Sequence, residues 1–429
     1  MTSNVKSLLK FLDNSPMSFQ AVATVAATLS EAGFTRLDPA DEWVIEPGGR
    51  YYVIKNDSAI FAFIAGEGDP AVDGFRIISA HSDSPGFRIK PHAAMLAPGN
   101  VVKLNTEVYG GPILYTWFDH PLSVAGRVMT RGADALHPVT RLVKVDRPLL
   151  TIPHLAIHFN RQVNEGNPIS KQKDMLPVLG IVKDRLEADN LLMEALDLDP
   201  AEIIGMELGL YDTTPAMTVG ANDEFISSGR IDDLSMVHAA MTALLAEADK
   251  PCRATRVMAI FDNEETGSGT KQGAASPVLD GIMRRVVDLL APSRRQAYYR
   301  AIASSFMVSA DNAHAVHPNY VEKQDPTNHP VLGGGPVIKI NANCKYMTDA
   351  DSAAVFARVC SDAGVPVQYF VNRSDIAGGS TLGNILTSQI DLRGVDMGAA
   401  MWAMHSCRET ASAADHDMIT HAFAAFYTL

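Results

Sequence analysis

Apolar and polar positions along this chain fall into three textures. In the first, Val5, Leu8, Leu9 and Leu12 share one face of a helix, which Asn14-Ser15-Pro16 interrupts. Ser18 is placed to cap a second helix that runs to Glu31 and stops at Gly33. Residues 50–56 and 58–65 read as two strands joined at Asn56-Asp57. Residues 75–80 form a third, mostly apolar strand that ends at once in His81-Ser82-Asp83-Ser84-Pro85.

After about Pro91 the pattern shortens to alternating segments at 101–104, 113–118, 122–129, 140–145 and 149–152, separated by Gly, Pro, Asn and Asp. One helix at 184–196 and a strand at 206–211 complete a mostly β module. From about Pro215 helix and strand periods alternate again. Helices are expected at 234–248, 277–291, 294–304, 350–363 and 415–427, and strands at 256–261, 306–310, 337–341, 367–371 and 395–404. Gly378-Gly379-Ser380-Thr381 opens a further short helix. Such alternation predicts a layered α/β domain. The economical reading is one discontinuous α/β domain, residues 1–92 and 215–429, interrupted by a β-rich insertion at 93–214.

Composition narrows the function classes. The chain has 429 residues, 47% of them hydrophobic, and a net charge of −13, which argues against nucleic acid and anionic membrane surfaces as partners. An acidic substrate would need a local cation to receive it. Four cysteines without a CxxC pair suggest a reduced, cytoplasmic protein. Residues 1–12 lack the apolar core of a signal peptide, and no stretch reaches the ~18 apolar residues of a membrane span.

Potential ligands recur where strands end. His81 with Asp83, Asp232 with Asp233, Glu264 with Glu265, Asp311, and His405 each stand at a strand end or in a loop, and all but the Asp232 pair directly follow an apolar run. Open α/β sheets place their chemistry at the carboxyl ends of strands. Histidine and carboxylate without thiolate suit zinc, manganese or cobalt, and these residue types fit a two-metal hydrolytic centre. A carboxylate such as Asp232 can bridge two ions, and Asp83 can hold the second ring N–H of His81. Of the two glutamates, one can bind metal while the other moves protons. Each residue also has an ordinary reading: Asp232 as a helix cap, Asp311 as a turn former, a lone histidine as a satisfied polar group. Five such places in matched contexts outweigh those readings taken singly.

The residues that carry this chemistry also carry a resemblance. Asn263-Glu264-Glu265-Thr266-Gly267-Ser268, Ser309-Ala310-Asp311-Asn312-Ala313-His314 and residues 79–85, 155–158, 222–226, 229–234, 335–341 and 404–409 are similar to the M18 metalloaminopeptidases, the aspartyl aminopeptidase family. The resemblance implies a three-layer α/β/α metallopeptidase domain with the β-rich insertion as a dimerisation domain. It implies two divalent ions, zinc with manganese or cobalt as alternatives. One ion would take His81, Asp232 and Asp311, the other Asp232, Glu265 and His405. Glu264 would be the general base and then acid, and Asp83 would orient His81. His158 would reach a neighbouring subunit's site to bind substrate or stabilise the oxyanion; a metal-ligand role for His158 ranks second. Lys339, after Gly333-Gly334-Gly335-Pro336, would receive an acidic N-terminal side chain, with Tyr346 beside it and Gly379 and Ser380 offering backbone contacts. The family's substrates are peptides, and its assembly is a homododecamer built from dimers. Alternatives are another di-metal amide hydrolase, such as a deacylase or carboxypeptidase, or a non-catalytic assembly or cargo protein on a peptidase scaffold.

Overall fold

The structure is a computed structural model that describes residues 1–429. Its largest sheet has nine strands. In spatial order these are Thr35–Arg36, Arg50–Lys55, Ala59–Ile64, Thr255–Phe261, Phe75–His81, Phe306–Ala310, Gly394–Gly398, Val337–Ile340 and Gln368–Val371. Four neighbours in the middle, from Thr255–Phe261 to Gly394–Gly398, run parallel. Their near-continuous apolar character is what a parallel sheet buried on both faces requires.

Alternation along one strand shows the two faces. Ile60, Ala62 and Ile64 pack into a core shared with helices Ser3–Asn14, Ser18–Glu31, Ile231–Ala246, Ala350–Asp362 and Ala413–Phe426. Ala59, Phe61 and Phe63 pack on the opposite side with Val278–Leu290, Ala297–Ala303 and Leu382–Leu386. The protein is therefore of the α/β class.

A second sheet of six antiparallel strands has the order Val139–Lys144, Leu122–Thr130, Ile203–Asp212, Gly86–Ala97, Val101–Tyr109, Val178–Ile181, and a core of its own. Its strand Gly86–Ala97 begins ahead of the boundary expected at residue 92 and runs through Pro91. Pairing with Val101–Tyr109 slips between Ile89 and Ala94, and Pro91 sits inside that slip, where no ladder N–H is needed. Two expected strands are absent. Residues 113–118 contain a 3₁₀ turn, Leu114–Trp117, because the segment buries Trp117 edge-on to Phe87 at 5.0 Å instead of pairing. Residues 149–152 make only isolated bridges.

A third sheet, of five short strands, was not anticipated. Its order is Met217–Val219, Phe225–Ser228, Glu409–Ser412, Ala400–Trp402, Ala313–His314. It divides the strand expected at 395–404: Gly394–Gly398 belongs to the nine-stranded sheet and Ala400–Trp402 to this one. The switch comes at Gly398, where a Cβ would lie 1.9 Å from the Asp311 carbonyl oxygen, so only glycine permits the approach.

Candidate active site

Three parallel strands and the small sheet deliver side chains to one place. His81 ends Phe75–His81, Asp311 follows Phe306–Ala310, and Glu264-Glu265 form a 3₁₀ turn two residues past Thr255–Phe261. Asp232 lies in the non-helical start of Ile231–Ala246, with a cis peptide to Asp233. His405 does not follow a strand of the large sheet. It sits at φ +68° in the turn between two strands of the small one.

Potential ligand atoms of His81, Asp232, Asp233 and Asp311 lie within 4.8 Å of one another. So do those of Asp232, Glu265 and His405, and those of His81, Glu264 and Glu265. Asp232 is common to the first two sets. His405 Nε2 is 3.5 Å from Asp232 Oδ2 and 3.3 Å from Glu265 Oε1, while His81 Nε2 is 3.8 Å from Asp232 Oδ1.

Electrostatics follow from packing so many acids out of water. Burial, opposed by the nearby histidines and aided by the neighbouring carboxylates, pushes Glu264 up to about 8 and Glu265 up to about 7. Burial alone would lower both histidines. Asp233 and Asp83 outweigh it at His81, holding that ring well above its ordinary range, and Asp232 and Glu265 raise His405 to about 11. Asp232 Oδ1 and Glu265 Oε1 are buried without a hydrogen-bond partner. Orphaned carboxylate oxygens among facing imidazoles fit a bound divalent cation, which would satisfy them and offset the concentrated charge.

A family model described as "Aminopeptidase I zinc metalloprotease (M18)" matches residues 11–427. The "Probable M18 family aminopeptidase 2" of Clostridium novyi is 48% identical over 426 residues, covering 98% of each chain. The protein of that name from Pseudomonas aeruginosa is 43% identical over 429 residues, covering 98% of this chain and 97% of its own. This chain belongs to the M18 aminopeptidases.

It is therefore a metalloaminopeptidase, a hydrolase of a zinc family. Solved structures agree in fold. A chain of the "Cryo-EM structure of the Ape4 and Nbr1 complex" superposes with a TM-score of 0.94 at 35% identity, over 99% of this chain and 85% of that one. The mApe1 dodecamer of S. cerevisiae gives 0.87 at 25%, over 99% and 96%.

Within this M18 chain, the remaining expected residues separate. Lys339 is buried with its Nζ 3.2 Å from Asp311 Oδ1 and 5.7 Å from the Tyr346 ring centroid. Gly379 and Ser380 lie on an exposed loop, with Ser380 Oγ donating to Lys345 O at 3.4 Å. Thr381 does not cap the following helix; its hydroxyl donates to Asp396 Oδ1 at 2.7 Å. His158 stands in an exposed turn and joins none of the ligand clusters, so the structure does not bring it to this chain's own site.

Other residues support the site: Glu409, Asn312 and Tyr109 had no role in the sequence reading, and Asp233 was named there only as a potential ligand beside Asp232. Glu409 accepts the N–H groups of His405 at 2.7 Å and Asp232 at 3.1 Å, tying together the two elements that the small sheet brings in. Asp233 Oδ2 accepts the His81 N–H at 3.1 Å, and Asn312 Nδ2 donates to Ile231 O at 3.1 Å. Glu409 and Asn312 lie inside family-like stretches, which was the only signal for them. Tyr109, from the six-stranded sheet, carried none.

Proposed function

We propose that this M18 enzyme removes acidic residues, Asp or Glu, from peptide N-termini at a centre of two divalent ions. The observation that carries the reading is the sharing of Asp232 between two ligand clusters with a buried cation, Lys339, beside them. His81, Asp232 and Asp311 would hold one ion, and Asp232, Glu265 and His405 the other, zinc being the first choice and manganese or cobalt the alternatives. When bound, such ions polarise a scissile carbonyl and make an attacking water more acidic.

The chain's own residues supply the rest. Glu264 accepts the proton of the attacking water and returns it to the leaving amine, a role suited to a carboxyl that clusters with His81 and Glu265. Asp83 orients His81: its carbonyl is 3.0 Å and its carboxylate 3.4 Å from His81 Nδ1. Lys339 stays charged because Asp311 and Tyr346 outweigh its burial, and it receives the substrate's side-chain carboxylate. Gly379 and Ser380 would offer backbone contacts to the substrate; Ser380 Oγ donates to the carbonyl of Lys345, the residue before Tyr346.

The sheet between two helical layers is read as a three-layer metallopeptidase domain, residues 1–92 and 215–429, and the six-stranded module as its dimerisation domain. The dodecamer reported for the S. cerevisiae relative makes a homododecamer the assembly we propose, with exposed His158 reaching a neighbour's substrate. Four free cysteines agree with a cytoplasmic setting, and no helix is long and apolar enough to cross a membrane.

A panel of aminoacyl substrates assayed on metal-free, zinc-, manganese- and cobalt-loaded protein tests the reading. Asp and Glu substrates should turn over at least tenfold faster than neutral ones, a difference of about 1.4 kcal/mol. Equal rates across side chains would remove the acidic preference, and undiminished rates without metal would remove the metal centre.

A further inference from the structure

We infer that Tyr109-Gly110-Gly111, from the six-stranded module, sets the geometry of the metal centre, with Tyr109 as a positioning residue. The inference rests on the reading of His81, Glu265 and His405 as metal ligands. Three consecutive residues at the end of strand Val101–Tyr109 touch three separate parts of the site. Tyr109 Oη donates to Asp83 Oδ2 at 2.7 Å and accepts from Asn263 Nδ2 at 2.9 Å. Asp83 in turn accepts the N–H groups of Glu264 at 3.1 Å and Glu265 at 3.2 Å, and faces the His81 ring. One phenol thus fixes the carboxylate that holds the turn of both glutamates and lies 3.4 Å from His81 Nδ1, whose hydrogen bond, at 3.0 Å, is to the carbonyl of the same Asp83. The Arg88 guanidinium lies over the phenol ring, 4.6 Å from its centroid.

Gly110 has φ +66°, and a Cβ there would sit 3.2 Å from Glu265 Cβ and 3.3 Å from Glu265 O. Any side chain at this position presses on Glu265. The Gly111 carbonyl oxygen accepts His405 Nδ1–H at 3.2 Å, so that Nε2, 3.5 Å from Asp232 and 3.3 Å from Glu265, is the nitrogen that would bind an ion held with those carboxylates. Both metal histidines therefore take their orientation through residues that the inserted module either supplies or holds. Hydrogen-bond partners behind a metal ligand are worth about 10–100-fold in metal affinity.

Tyr109→Phe tests this, because it keeps the ring, its burial and the Arg88 stacking and removes only the hydroxyl. Tyr211→Phe is the control: it removes a hydroxyl bond of 2.7 Å, to Val145 O, within the same module, and that hydroxyl touches none of the proposed metal ligands. Cobalt affinity is read by competition with a chelator, alongside the cobalt absorption spectrum and the kcat and KM of the loaded enzyme. Tyr109→Phe should bind cobalt about 10–100-fold more weakly, with an altered spectrum and a lower kcat at little-changed KM, while Tyr211→Phe matches wild type. Cobalt binding by Tyr109→Phe within about two-fold of wild type, with the same spectrum, overturns the inference. Should that variant fail to fold, Gly110→Ala keeps the hydroxyl and must weaken cobalt binding by a similar factor; unchanged binding again overturns it. If wild type itself binds no cobalt, the metal-ligand reading fails, and with it the inference.

Discussion

Glu264 and Glu265 are neighbours in sequence, yet their surroundings divide them. Glu265 reaches His405 and Asp232, whereas Glu264 falls in a cluster only with His81 and Glu265. Glu264→Gln preserves size and burial but removes the proton acceptor. It should lower kcat by about 10²–10⁴ while metal content stays at the wild-type level. Steady-state rates and metal analysis check this, and a rate within tenfold of wild type would remove Glu264 from proton transfer. Lys339→Met keeps the aliphatic stem and removes the charge, so preference for Asp and Glu over neutral N-termini should disappear in kcat/KM. An unchanged ratio takes Lys339 out of the pocket. Most acids and histidines of the site were legible because they stand where an apolar run stops, and Asp232 because it pairs with Asp233 at the start of a helix. Tyr109 and Glu409 were not. They act through hydrogen bonds from two other sheets, and a tyrosine closing an alternating strand looks the same whether its hydroxyl meets water or Asp83.

Among elements, the long helices and central strands were legible because one period ran unbroken through each. The third sheet was not, since strands of two to four residues carry too few alternations to read, and the split of residues 395–404 turns on one close approach at Gly398. Two buried groups then hold helices in place. Arg256 is the largest side chain with almost no exposure, and it faces no carboxylate; its guanidinium donates to Tyr427 O at 2.7 Å, Lys250 O at 2.9 Å and Glu247 O at 2.5 Å. It thereby serves the carboxyl ends of two helices at once, where a cation is favoured. Arg256→Met leaves those carbonyls buried and unpaired and should cost about 3 kcal/mol, read from the denaturant midpoint. A loss below about 1 kcal/mol would mean that the carbonyls find other donors. The second group joins helices Ile231–Ala246 and Ala413–Phe426 through His238 and His416, whose rings lie 3.0 Å apart from Nδ1 to Nε2. Burial depresses both, His416 to about 4. A depressed histidine contributes stability that is fully present above its unfolded value near 6.5 and is lost as pH falls toward 4. For His416 the loss is roughly 3 kcal/mol over that window. Buried acids such as Asp415, raised to about 6, have the opposite slope, so the difference between wild type and His416→Gln isolates the histidine. The stability advantage of wild type over that variant should shrink as pH falls from 7 to about 4.5, and a constant difference would show that the ring is not held neutral.

At the scale of the whole molecule, one exposed loop needs a partner. Leu155, Ile157 and Phe159 are 59%, 50% and 81% exposed and flank His158 in the six-stranded module. Large apolar side chains grouped on a turn expose surface that a second subunit would cover. If that subunit receives His158 at its own site, each active site is completed by two chains, and two inactive variants can repair one another. In His158→Ala the site's own residues are intact but the donated histidine is missing. In Glu264→Gln the donated histidine is intact but the site is dead. When the two are mixed and reassembled across a two-fold interface, a mixed pair has one site with Glu264 from one chain and His158 from the other. Random pairing makes half of the pairs mixed, with one working site in two, so activity should return to roughly a quarter of wild type. Each variant alone should remain nearly inactive. No recovery after verified subunit exchange would place the function of His158 within its own chain or outside catalysis. Phe159→Asp, introduced into either partner, should then lower both the mass measured in solution and the recovered activity, because the same loop carries the contact and the histidine.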